Sequence, residues 1–156
     1  MVHVVMQPLH IDEALENAAK AGAAKRLGRW LQKYSPLLIY RDPPYGLTSV
    51  EHQLRQRKAS SAAAWAGLGS LADIQCVLEI IQREMSWPNS YFIPDDPATL
   101  VLSGRDFDSI LTIMSIEERF GVSYSDSDVE RITEEAWTLG QFVQDVVQRA
   151  TRGRRF

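Results

Sequence analysis

One cysteine, three histidines and no long apolar run set the first limits on this 156-residue chain. Cys76 alone forms no internal disulfide and builds no four-thiolate metal site, which suits a reducing compartment. His3, His10 and His52 are scattered, with no HExxH and no paired Cys/His spacing, so no metal site is expected. No stretch approaches the roughly 20 apolar residues that cross a bilayer, and the start has no basic flank leading into an apolar core. Neither a membrane span nor a signal peptide is therefore read, and a cytoplasmic place is expected. Glycine-rich phosphate loops are missing, and Ser, His and Asp form no nucleophile motif, so the expectation is a protein that is not an enzyme. Asp95 with Asp96, and Asp126 with Asp128, lack EF-hand spacing and read as loop or cap residues.

What is present is a composition of 45% hydrophobic and 24% charged residues, which suits one globular domain or a domain with a helical extension. The net charge of -3 hides a division along the chain. Residues 1–66 carry +4, residues 67–149 carry -10 and residues 150–156 carry +3. The acidic part either faces a basic partner, is covered by the basic part of its own chain, or serves as a solubilising surface.

Helical spacing begins near Ile11 and runs to about Tyr34, with acidic residues early, Lys25, Arg26, Arg29 and Lys33 late, and Pro36 as a stop. Leu37 to Tyr40 reads as a short strand or a buried extended segment. Thr48 and Glu51 have capping-box spacing, which starts a helix near Ser49. Its apolar stripe, Val50 and Leu54 leading on to Trp65, is thin, as in a poorly buried helix or a mobile connector. The small-residue stretch 59–69 reads as a boundary, which divides the chain into a helical extension at 1–66, a bundle at 67–149 and a basic tail at 150–156. In the bundle a helix from Leu71 to Ser86 follows Ser70. A loop with Trp87, Tyr91, Phe92 and four aspartate or proline positions at 94–97 comes next. A second helix carries Phe107, Ile110, Ile113, Ile116 and Phe120 inward. One or two turns fall within 125–132, and a last helix begins at Thr138. The loop aromatics pin the loop to its own core in preference to forming an exposed patch. The fold class is all-α.

Residues from about 70 to 149 resemble the acyl carrier and peptidyl carrier protein family. The resemblance rests on the order of helices and on three strings: Arg105-Asp106-Phe107-Asp108, Ile116-Glu117-Glu118-Arg119-Phe120-Gly121-Val122 and Thr138-Leu139-Gly140-Gln141-Phe142-Val143. In the family, a serine opening the second helix carries 4'-phosphopantetheine, and this helix docks on basic patches of partner enzymes. At the serine's place this chain has Asp106, and a carboxylate cannot accept the phosphodiester. Ser109, within Asp108-Ser109-Ile110, offers the same pattern three residues along.

The resemblance thus implies an acyl-carrier-like bundle without a prosthetic group, acting as a protein-interaction module. Its docking residues would be Asp106, Asp108, Glu117 and Glu118, and its partner a protein with a basic surface. The alternative is a genuine carrier of acyl or aminoacyl groups, modified with 4'-phosphopantetheine on Ser109. The arginines at 149, 152, 154 and 155 read as a solubilising tail in preference to a nucleic-acid contact. The basic helix at 25–33 is expected to pack near the acidic half; the alternatives are a separate N-terminal domain or a homodimer in which that helix packs across the axis.

Overall fold

The structure, a computed structural model, describes residues 6–15, 47–59, 62–102 and 109–155. Among them the fold is all-α. The helices are α1 (Leu47–Gln56), α2 (Leu71–Glu84), α3 (Ala98–Leu102), α4 (Ser109–Phe120), α5 (Asp126–Glu134) and α6 (Leu139–Gly153), with a 3₁₀ turn at Ala62–Trp65 and no strand. The expected helix from Ile11 is helical at 13–15, with 11–12 outside the helix, and its continuation lies outside the described residues, as do the segment Leu37 to Tyr40 and the basic cluster at 25–33.

Local chemistry fixes the starts of the bundle helices. The Asp73 N–H donates to Ser70 Oγ at the head of α2. Ser125 with Asp128, and Thr138 with Gln141, form complete capping boxes on α5 and α6, each satisfying donors that the first turn leaves without partners. From these starts the helical period aims Ile74, Val77, Leu78 and Ile81 of α2 at Phe142, Val143, Val146 and Val147 of α6. Ile113, Ile116 and Phe120 complete the core from α4, and all are buried. The α2 helix packs against both α4 and α6.

The loop after α2 is pinned through its aromatics. Trp87 and Phe92 are buried, and the Trp87 indole N–H donates to the Val101 carbonyl at 2.9 Å. Leu139 N–H donates to Asp96 O and Gly140 N–H to Pro94 O, which draws the loop against the head of α6. Gly140 permits this approach, since a Cβ there would lie 2.8 Å from Pro94 Cβ. The short helix α3, which the proline-rich sequence does not announce, follows directly with Ala98, Val101 and Leu102 buried.

Two expectations for the region before the bundle need correction. The helix α1 begins at Leu47, so Thr48 lies inside it and is not its cap. Nor is it poorly buried: Val50 and Leu54 are fully buried, and with Leu9 and Trp65 they belong to the same core as α2 and α6. A stripe of two residues four apart suffices because a third element, residues 7–12, closes over the polar side of α1. The Trp65 indole donates to the Phe92 carbonyl at 3.1 Å, so the small-residue stretch around it is joined to the bundle loop.

Candidate functional site

The α4 helix divides into two faces. At 100° per residue, Thr112, Ile113, Ile116 and Phe120 fall on one side, and the structure buries all four. Ile110, Leu111, Met114 and Glu118 fall within about 100° of arc on the other side. Ile110 is 66% exposed, Leu111 47% and Met114 55%. The expected inward position of Ile110 is therefore overturned: the stripe is centred nearer Ile116, which turns Ile110 past its edge and brings Thr112 in. Three large apolar side chains together on one exposed helix face are a feature that docking surfaces share, because apolar area left in water is recovered when a partner covers it.

Next to this ridge, a cleft of about 320 Å³ opens between α2 and α4. Cys76, Glu79, Ile80 and Arg83 line it from α2, and Ser115, Glu118 and Arg119 from α4. Glu118 thus stands where ridge and cleft meet, and it is exposed. Glu117 has an intramolecular duty, since its Oε1 accepts the Tyr124 N–H at 2.6 Å and fastens the turn after α4. Asp106 and Asp108 lie outside the described residues, and Ser109 is the first described residue of α4.

Behind the end of α4, Tyr124 joins a charged cluster. Its hydroxyl donates to Asp145 Oδ2 at 2.8 Å, and Arg149 donates to Asp145, Asp128 and the Ser123 carbonyl while lying 4.3 Å over the Tyr124 ring. Arg149, one of the arginines at the C-terminal end, is therefore occupied in holding α5 to α6. Burial, followed by the hydrogen bond to Asp145, pushes the Tyr124 phenol well above its ordinary range. The Arg149 hydrogen bonds, with the Ser125 backbone N–H next, hold the Asp128 carboxyl down to about 2. A depressed carboxyl contributes stability that is complete above the unfolded value near 3.8 and is lost as pH falls toward 2. Asp128→Asn should accordingly lower Tm near neutral pH, and the gap from the parent should close as melts are repeated from pH 5 to pH 2.

Among the described residues, no group of three His, Cys, Asp or Glu is placed to hold a metal ion, and no helix is long and apolar enough to cross a membrane. No family model, curated protein or solved structure compared with the chain matches it. The sequence reading names α4 and, on it, Glu118, and it passes over Leu111 and Met114. The signal was present in the sequence, because Ile110, Leu111 and Met114 share a face that the core stripe leaves over.

Proposed function

We propose that this chain is a non-catalytic protein-interaction module, an acyl-carrier-like helical bundle without a prosthetic group, which docks on a basic protein surface through α4. The observation that carries the reading is the exposed ridge of Ile110, Leu111 and Met114 with Glu118 beside it. The setting is a half of the chain that carries -10, so a basic partner is attracted at long range and the apolar ridge supplies contact at short range. Asp106 and Asp108 come just before the ridge in sequence and count in the same acidic half, while Glu117 fastens the turn after α4.

The second reading is a carrier modified with 4'-phosphopantetheine on Ser109. It rests on the string Asp108-Ser109-Ile110, which repeats the family's Asp-Ser-Leu pattern three residues along. Intact mass after coexpression with a broad-specificity phosphopantetheinyl transferase separates the two. The docking module keeps its bare mass, and Asp106→Ser is the variant that gains the group. A mass gain by the parent that Ser109→Ala abolishes establishes the carrier. For the docking itself, Ile110→Glu with Met114→Glu should leave Tm unchanged and abolish coelution with a partner isolated from the native host. A large fall in Tm would mean that the ridge is packed inside the protein.

A further inference from the structure

Residues 7–12, which have no regular secondary structure and precede the helical residues 13–15, run along α1 with their backbone held by side chains. The His10 N–H donates to Gln53 Oε1 at 3.2 Å, and Gln53 Nε2 donates to the His10 carbonyl at 2.6 Å. The Asp12 N–H donates to Ser49 Oγ at 3.0 Å, and that hydroxyl is within 3.3 Å of the Asp12 carbonyl. Arg57 Nη2 donates to the Gln7 carbonyl, and the Leu9 N–H donates to Asp96 Oδ1. Ser49 and Gln53 on α1 and Arg57 directly after its end are spaced four apart, so they form one row. Between the row and the loop at 91–96, the Leu9 side chain enters the core and is 1% exposed, whereas His10 and Ile11 point to solvent.

This is how a peptide site is built. Backbone groups of an extended segment are paired one after another, and a single pocket reads one side chain. Residue 8 is not required to donate a hydrogen bond and is a proline, whose fixed φ suits an extended approach. We propose that the channel between α1 and the 91–96 loop is a binding site for an extended peptide with a leucine-sized anchor. In this structure the site is filled by the chain's own residues 7–12. The incoming peptide has the chemistry of that segment: a proline is accepted before the anchor, and the anchor's N–H and the carbonyl two residues before it are both bonded.

The chain's own segment is attached, so it competes at an effective concentration that a free peptide must exceed. Access therefore depends on weakening the internal occupant. This site uses no residue of the α4 ridge and stands whether or not that ridge docks a partner.

The test uses the full chain carrying Leu9→Ser and a fluorescent synthetic peptide spanning residues 5–14. The variant should bind the peptide at least tenfold more tightly than the parent does, and the same peptide with Asp at the anchor position should not bind. Because Leu9→Ser also weakens the fold, Tm is read alongside, and it should rise with peptide concentration as mass action requires. Absence of both binding and a Tm rise up to millimolar peptide overturns the proposal. Equal binding by the Leu and Asp peptides also overturns it, since the pocket would then read no anchor.

Discussion

Asp96→Ala is expected to lower folding stability by about 3–5 kcal/mol, the range for breaking a buried ion pair from one side. Asp96 is fully buried, and Arg57 grips it with two hydrogen bonds of 2.8 Å each while its side chain is only 7% exposed. The same carboxylate accepts the Leu9 and Ile93 N–H groups, so its loss leaves a buried guanidinium and two backbone donors short of partners. Arg57→Met should cost a similar amount, because it strands the carboxylate instead and frees the Gln7 and Tyr91 carbonyls that Arg57 serves. The double variant should lose clearly less than the sum of the two, since neither charge then remains buried alone. Urea unfolding of the four proteins measures this, and additive losses would show that the pair is not coupled.

Phe142→Ala is expected to cost about 3–5 kcal/mol as well, through lost burial and the cavity left behind. Phe142 is fully buried on α6, next to the Tyr124 ring at 6.1 Å between centroids. Ile110→Ala gives the contrast: removing an exposed side chain should shift stability by no more than about 0.5 kcal/mol. Thermal melts of the two variants therefore measure the division of α4 into an inner and an outer face as well as the packing of α6. If Ile110→Ala matched Phe142→Ala, the ridge would belong to the core.

The helices that the sequence displays most clearly are those whose instructions are local. Ser70 and Thr138 announce α2 and α6 because a cap needs only its own first turn, and the inward residues of both follow from period alone. The reading failed for α1 because its polar residues are used at long range. Ser49, Gln53 and Arg57 look like a solvated face, yet each bonds a backbone group more than 30 positions away in the chain. Asp96 reads as a loop or cap residue, and it lies in a loop, but nothing near it in sequence indicates Arg57 as its partner. Ile110 failed for a different reason. An apolar residue at helical spacing from the core stripe sits inside or outside according to where the stripe is centred, and that is decided by α2 and α6. The same ambiguity hides the ridge, since the inward set that includes Ile110 leaves Leu111 and Met114 without an assigned face.

The bond from Leu9 to Asp96 closes 87 residues of chain, and this separation has a kinetic consequence. The helices from α2 onward meet through shorter loops and lose less chain entropy in doing so, so they are the part able to assemble early. Leu9 can be buried only after the 91–96 loop has taken its place. During synthesis, residues 7–12 leave the ribosome well before the residues that will hold them. For that interval Leu9 is an exposed apolar side chain, and contacts that close so long a loop are expected to form after the rate-limiting step. Variants at Leu9 and Gln53 should accordingly speed unfolding while leaving the refolding rate nearly unchanged.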